Sequence, residues 1–429
     1  MKITIIGTGY VGLVTGTCFA EGGHEVTCVD SDVNKIKVLQ QGGMPIYEPG
    51  LPELVKKNVA AGRLFFTSNT QEGVERSDFI FIAVSTPPQP DGSLDLSFVE
   101  KVSRDIASAM TSYKIILDKS TVPVRTGEKV AETIGRFSKG KVDFDVVSNP
   151  EFLREGSAIE DFMKPDRVVV GVSSPRPVEA LKALYAPFDA PVIVTSIESA
   201  ELIKHAANSF LALKISYINA VSVLCEATGA NVQEVAHGMG MDPRIGRKFL
   251  DASLGFGGSC FPKDLSAFIA TSEMLGYEFG LLKEVQKINL GQMDRFVKKI
   301  TDTLWVVRDK TIGVLGLAFK QDTDDVRNSP AIDLCKRLQR AGARLRVHDP
   351  QAMEKAGAIL KDVDYVADMN EVAEGCDALV IATEWPEFKK LDLDRARRCL
   401  SHPIIFDGRN LFDPVEMERL GFLYKGIGR

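Results

Sequence analysis

Lys2-Ile-Thr-Ile-Ile-Gly7-Thr-Gly9-Tyr10-Val11-Gly12 opens the chain, and its reading decides the fold. An apolar run of strand type ends at Gly7, and a helical pattern begins at once and closes near Gly22-Gly23. The three glycines have separate tasks: a tight turn, close approach of backbone to a pyrophosphate, and close packing of helix on strand. The helix N-terminus then turns its free amides toward the phosphates. A second strand, Glu25–Val29, leads into Asp30, 18 residues past Gly12. A carboxylate there accepts both ribose hydroxyls and repels a 2′-phosphate, which selects NAD over NADP. Gly7, Gly9, Tyr10, Val11, Gly12 and Asp30 are therefore the cofactor-binding candidates. A glycine-rich structural turn is the rival reading and explains fewer of these features.

Outward from this unit the alternation continues. Phe79–Val84, Lys114–Asp118, Asp145–Ser148, Arg167–Val172 and Val192–Thr195 read as strands of a parallel sheet wrapped by helices. From about Ser199 to about Thr228 the chain is alanine-rich and lacks glycine and proline, which predicts one long helix. Further helices are expected over roughly 262–275 and 279–304. After Asp309 the rhythm returns: Lys310–Gly316 echoes Lys2–Gly7, and Arg344–His348 with Asp349 echoes Glu25–Val29 with Asp30. The expected fold is α/β, two Rossmann-like doubly wound domains joined by a long central helix and a helical middle domain. Expected boundaries are 1–198 (NAD-binding), 199–305 (central) and 306–429 (C-terminal). The second unit lacks the full glycine set in Gly313-Val-Leu-Gly316, so a second NAD is not expected. Lys320, just beyond, suits another phosphate-bearing ligand or a solvated surface.

A chain of 429 residues suggests two or three domains. With 45% hydrophobic and 26% charged residues the balance is that of a globular protein, and a net charge of −6 argues against nucleic acid or an anionic membrane as partner. The first strand begins at Lys2, which leaves no room for a signal peptide, and no apolar run is read as long enough to span a membrane. The seven cysteines are scattered, without Cys-x-x-Cys or zinc spacing. Reduced thiols in a cytoplasm, and no metal, are expected.

One cysteine has a different setting: Gly255-Phe-Gly-Gly-Ser-Cys260-Phe-Pro-Lys-Asp264. Pro262 suits a first helical turn, so Cys260 falls at a helix start, where dipole and free amides favour a thiolate. Gly255, Gly257 and Gly258 are read as clearing space for a substrate; a buried cysteine in a turn is the bland alternative. On the long helix, Lys204 and Asn208 share a face. Apolar residues around most of that helix predict burial, which would need an anionic partner for Lys204; a solvated Lys/Asn stripe stays open. Ser120-Thr121 and Asn149-Pro-Glu151-Phe152-Leu153-Arg-Glu155-Gly156 follow strands at the ligand-binding edge, either as site residues or as helix-capping turns.

Together these motifs resemble the UDP-glucose/GDP-mannose dehydrogenase family over essentially the whole chain. The matching segments are Gly7–Gly12, Ser85-Thr-Pro-Pro, Ser120-Thr-Val-Pro, Asn149–Gly156, Lys204 to Asn208, Arg244-Ile-Gly, Phe249–Asp264, and Phe319-Lys320 through Arg327. Ser259 stands where relatives acting on UDP-N-acetylhexosamines carry histidine, and the extra aromatic–small pair of GDP-mannose enzymes is absent, which points to UDP-glucose. The resemblance implies oxidation of the sugar C6 alcohol to a carboxylate with two NAD⁺, through a thiohemiacetal and a thioester on Cys260. It gives Lys204 and Asn208 the oxyanion, and Asp264, Glu151 and Thr121 the water. Thr86, Thr121, Glu155, Lys35, Lys263 and Arg327 match cofactor positions. Phe152, Leu153, Phe249, Leu250, Ser253, Gly257, Phe261 and Lys320 match UDP-sugar positions. Arg244 resembles an arginine that reaches the substrate from a neighbouring subunit, implying a homodimer. Lys119 matches no assigned role. The alternatives are the same chemistry on another nucleotide sugar, or a two-electron β-hydroxyacid-type dehydrogenase, which has no use for Cys260.

Overall fold

Every residue of β1 (Lys2–Ile6) after Lys2 is buried, as befits a central parallel strand covered on both faces. The computed structural model, which describes residues 1–140 and 142–429, builds an eight-stranded sheet around it. The other strands are β2 (Glu25–Val29), β3 (Leu64–Thr67), β4 (Phe79–Ile82), β5 (Lys114–Asp118), β6 (Phe144–Ser148), β7 (Val168–Val172) and β8 (Val192–Thr195). Their order is β3-β2-β1-β4-β5-β6-β7-β8, so the strand order reverses between β1 and β4. Register aligns the carboxyl ends, Ile6 with Val29 and Ile82, and Asp118 with both Ile82 and Ser148. Gly7, Asp30, Lys119 and Asn149 therefore leave the sheet at one edge, where doubly wound folds bind ligands.

Two details depart from the expected pattern. β3 is an extra edge strand, four residues long. β7 runs antiparallel to β6, so the sheet is mixed. The helix between them, Ala158–Met163, has six residues and spans only about 9 Å, too short to carry the chain back across the sheet. The connection from Asn149 thus stays at the ligand edge for its whole length.

The chain divides into two compact units, Met1–Ala207 with Ser266–Gly276, and Asn208–Leu265 with Tyr277–Arg429. The division falls inside the helix Ile197–Thr228, which has 32 residues. By length and composition this helix could cross a membrane, against the expectation that no run approaches that length. Its polar groups instead find protein partners: Glu201 accepts from the Arg125 and Gly127 amides, Ser216 donates to the Val285 carbonyl, and Asn219 accepts from the Ser253 amide. Nor is the helix covered on every side, since Phe210, Tyr217 and Leu224 are exposed.

In the second unit β9 (Thr311–Leu315), β10 (Arg344–His348), β11 (Asp364–Tyr365), β12 (Ala378–Ile381), β13 (Ile404–Asp407) and β14 (Leu423–Lys425) form a six-stranded parallel sheet, ordered β11-β10-β9-β12-β13-β14. Its first three positions reproduce the β3-β2-β1 arrangement, as the echoed segments imply. The helix Gly280–Leu304 packs its Met293, Phe296 and Ile300 into this unit's core.

Candidate active site

In the first unit the fingerprint has the geometry of a phosphate cradle. Gly7 takes φ +107°, and a Cβ there would lie 2.3 Å from the Ala83 oxygen; a Cβ on Gly12 would lie 1.9 Å from the Gly7 oxygen. A Cβ on Gly9 would meet nothing within 4 Å, so the open side of the turn is at the glycine meant to face pyrophosphate. Helix Tyr10–Glu21 has no side-chain cap and no acid in its first turn, which leaves its amides and positive end for an anion. Asp30 accepts from the Thr8 amide at 2.8 Å, the Thr8 hydroxyl at 2.7 Å and the Asp32 amide at 2.9 Å. Burial opposes its ionisation, but the amides of Asp32 and Thr8, the Thr8 hydroxyl and Lys35 outweigh this and hold its carboxyl below the ordinary value. These residues fit NAD.

Tyr10 is spent differently: its hydroxyl donates to Glu48 and accepts from the Gly156 amide at 2.9 Å. Glu48, which sequence reading missed, also accepts from the amides of Gly156 and Ala158, tying the glycine turn to the Asn149–Gly156 loop. Thr86 donates to the Thr121 carbonyl at 2.9 Å, bringing two candidates together, and Glu155 is buried in its loop.

Lys204 is 4% exposed, which decides between the inward and solvated readings. Its ammonium donates to the Glu151 carbonyl and to Glu151 Oε1, each at 2.7 Å, while Glu151 Oε2 accepts from the Leu153 amide at 2.6 Å. Phe152 lies between two cations, with the Arg167 guanidinium 3.7 Å and the Lys204 ammonium 5.6 Å from its ring centroid. A buried cation bonded to a carboxylate and a carbonyl is a preorganised donor of the kind that steadies developing negative charge.

The second unit holds the thiol. Cys260 is partly exposed and immediately precedes the helix Phe261–Met274. In the first turn Asp264 Oδ2 accepts from Asn208 at 2.6 Å, and its Oδ1 lies 3.0 Å from the Lys263 ammonium. The glycines of this loop have a packing task in the fold. A Cβ on Gly257 would come within 2.2 Å of the Asn328 oxygen, one on Gly258 within 2.7 Å of the Phe319 ring, and one on Gly255 within 2.7 Å of Asn289 Oδ1. They let the thiol loop lie flat against its own unit.

Amide side chains then pin that backbone. Asn289 accepts from the Phe256 amide at 2.8 Å and donates to the Phe256 carbonyl at 3.1 Å; Gln292 donates to the Ser253 carbonyl at 3.0 Å; Asn328 donates to the Gly258 carbonyl at 3.2 Å. None stands out from sequence, although Asn289 and Gln292 are polar residues three apart on a helix whose inner face is otherwise apolar.

The remaining candidates in this unit take varied positions. The Phe249 and Phe261 rings are 6.2 Å apart, Leu250 and Ser253 are buried, and Lys320 lies beside Phe319. Arg327 forks onto Asp325 with bonds of 2.9 and 2.7 Å. Lys263 and Arg327, matched to cofactor positions, thus belong to the same unit as Cys260. Among the described residues Arg244 is held only by Asp242, and its side chain is 87% exposed. Asp349, the echo of Asp30, is buried and saturated: Oδ2 accepts from Leu317, Ala318 and the Trp385 indole, and Oδ1 from Gln351 and Ala352. The carboxylate at the ribose position of the second sheet is consumed internally.

Comparison with known proteins agrees with this division of labour. The chain matches the UDP-glucose/GDP-mannose dehydrogenase family in its NAD binding domain over residues 1–189, its central domain over 198–290 and its UDP binding domain over 313–414. It is 49% identical to the UDP-glucose 6-dehydrogenase TuaD of Bacillus subtilis, covering 100% of this chain and 93% of that protein. It is 47% identical to a UDP-glucose 6-dehydrogenase of Rhizobium meliloti, covering 100% of each chain. The solved structure of a UDP-glucose dehydrogenase from Pyrobaculum islandicum superimposes with a TM-score of 0.93 at 42% identity, covering 99% of this chain and 97% of that one. The chain belongs to the UDP-glucose/GDP-mannose dehydrogenase family and is an NAD-dependent oxidoreductase.

Proposed function

We propose that this chain oxidises UDP-glucose at C6 to UDP-glucuronate, reducing two NAD⁺ per substrate. The observation that carries the reading is the setting of one thiol. Cys18, Cys28, Cys225, Cys335 and Cys376 are buried; Cys260 and Cys399 are partly exposed, and of these two Cys260 lies at the start of a helix whereas Cys399 ends one. Full-length relatives named UDP-glucose 6-dehydrogenase, at 49% and 47% identity, support the choice of sugar.

Bound NAD⁺ supplies the hydride acceptor for both oxidations. Lys204, with Asn208, stabilises the C6 oxygen as the alcohol loses its proton and becomes an aldehyde. Cys260 Sγ then adds to the carbonyl carbon, the oxygen takes a proton, and the thiohemiacetal again carries a hydrogen that can leave as hydride. The second oxidation leaves a thioester. Water adds to its carbonyl, the C–S bond breaks, and the carboxylate departs with the thiol restored. Asp264, Glu151 and Thr121 position that water or take its proton. The test is stoichiometry: two NADH per UDP-glucose consumed are expected. A ratio of one would sink the scheme in favour of a two-electron dehydrogenase, and turnover confined to GDP-mannose or a UDP-N-acetylhexosamine would move the substrate.

A homodimer belongs to the same proposal. Phe210, Tyr217 and Leu224 recur every seven residues along one helix face and stay exposed, as do Met241 and Ile245 around Arg244. Such a patch suits a second copy, and an arginine reaching outward beside it suits donation to the partner's substrate. Phe210→Glu is expected to shift the particle toward monomer in sedimentation, and Arg244→Ala to raise KM for UDP-glucose about tenfold. A monomeric wild-type protein of full activity would refute it. The seven free cysteines support a reducing, cytoplasmic setting.

A further inference from the structure

Because β7 runs antiparallel to β6, it is the first residues of β7 that stand at the ligand edge. Val172 pairs with Val147 and Gly171 with Ser148, so β7 extends for three residues, back to Val168, past the carboxyl end of β6. That is about 10 Å of extended chain. The Asn149 amide fits this register, donating to the Val169 carbonyl at 2.8 Å. Arg167 immediately precedes Val168 and so stands among the loops that carry the candidate residues of this unit. A parallel β7 would have put it at the opposite end of the sheet. In the sequence it reads as the start of a strand, and the family pattern gives it no task.

The Arg167 guanidinium carbon lies 3.7 Å from the centroid of the Phe152 ring. A separation that short is reached only over the face of a ring, and it is the distance of a cation–π stack. Among the described residues no carboxylate lies in salt-bridge range of this arginine, so the ring is the contact that locates it. Phe152 is half-buried, and the backbone on either side of it is already held. The Glu151 carbonyl accepts from the Lys204 ammonium at 2.7 Å, and the Leu153 amide donates to Glu151 Oε2 at 2.6 Å. The Lys204 ammonium also lies 5.6 Å from the Phe152 centroid. The ring has no polar atom of its own with which to fix its torsions. A planar guanidinium laid on its face supplies that constraint; an ammonium, a compact point charge, does not.

We propose that Arg167 is a positioning residue for the oxidation: stacked on Phe152, it fixes that ring and, through residues 151–153, keeps Glu151 and Lys204 in the geometry in which the lysine meets the C6 oxygen. The inference rests on the proposed role of Lys204 at that oxygen. Arg167 itself touches no reacting atom. Without the stack the Phe152 ring gains rotamers, and the short segment that carries it loosens around the Glu151 carbonyl. Displacement of a donor by about 1 Å at a reacting centre costs up to about a hundredfold in rate, so a contact one residue away from the pair is enough to matter.

The test is Arg167→Met, which keeps an apolar stem over the ring, with Arg167→Lys, which keeps the charge but not the plane. In both, kcat for UDP-glucose oxidation is expected to fall about tenfold, with two NADH per substrate retained. Phe152→Leu should lower kcat as well, and adding Arg167→Met to it should lower kcat no further, because a residue that acts through the ring loses its means once the ring is gone. Additive losses, full activity in Arg167→Lys, or a lower urea midpoint with the kcat of the folded protein unchanged would each overturn the proposal. Should the wild-type protein turn over no nucleotide sugar, the functional reading fails separately. Hydrogen exchange at the Leu153 amide, which Glu151 holds, then still decides. Faster exchange in Arg167→Met, and none faster in the double variant than in Phe152→Leu alone, supports the proposal; exchange at the wild-type rate in Arg167→Met overturns it.

Discussion

Cys260→Ser is expected to lower steady-state formation of UDP-glucuronate by on the order of a thousandfold or more, the scale on which removal of a covalent nucleophile acts. The substitution is nearly isosteric, and Cys260 is only partly buried, so stability should hardly change. The loop is pinned by Asn289, Gln292 and Asn328 through its backbone, and none of those bonds involves the sulfur. A hydroxyl is a far weaker nucleophile than a thiolate, and an aldehyde is a poor hydride donor until a nucleophile has added to it. The first oxidation should therefore survive better than the second. Rapid quenching and mass analysis should find the C6 aldehyde, or a hemiacetal on the introduced hydroxyl that turns over slowly. Near-normal four-electron turnover in this variant would remove the covalent scheme altogether.

Lys204→Met should have the next largest effect, and on two observables at once. Loss of the donor is expected to lower kcat about 10²- to 10³-fold. It also leaves Glu151, whose side chain is 6% exposed, without its bonded cation, and breaking a buried pair from one side costs about 3–5 kcal/mol. Urea titration should show this as a lower midpoint at unchanged slope. A variant as stable and as active as the wild type would show that the pair is neither structural nor catalytic.

Much of the architecture is legible because each strand of the sheet centres is a short, apolar run set off by helical periodicity. Lys2–Ile6 and Lys310–Gly316 announce two sheets, and the helix read from about Ser199 to about Thr228 is found over Ile197–Thr228. Leu64–Thr67 escapes notice because a four-residue edge strand has too few positions to establish a period. The reversal of β7 is invisible to periodicity, which is the same in either direction; only the brevity of Ala158–Met163 hints at it. Lys204 cannot be assigned inward or outward until Glu151 is found beside it, since partners 53 residues apart leave no local signal. The glycines of the cysteine loop stand out in the sequence, but their neighbours do not. What crowds them is Phe319, Asn328 and Asn289, all distant in sequence.

On the proposed reading, that crowding couples the nucleotide end of the substrate to its reacting end. The segment from Phe319 to Asn328 carries Lys320 and Arg327 and also forms the floor on which Gly257 and Gly258 rest, with Asn328 bonded to the Gly258 carbonyl. A grip on the diphosphate handle through Lys320 would be felt two residues from the sulfur. Glucose stripped of its UDP would then lose speed as well as affinity, since the remote end of the molecule helps hold the chemical end in register.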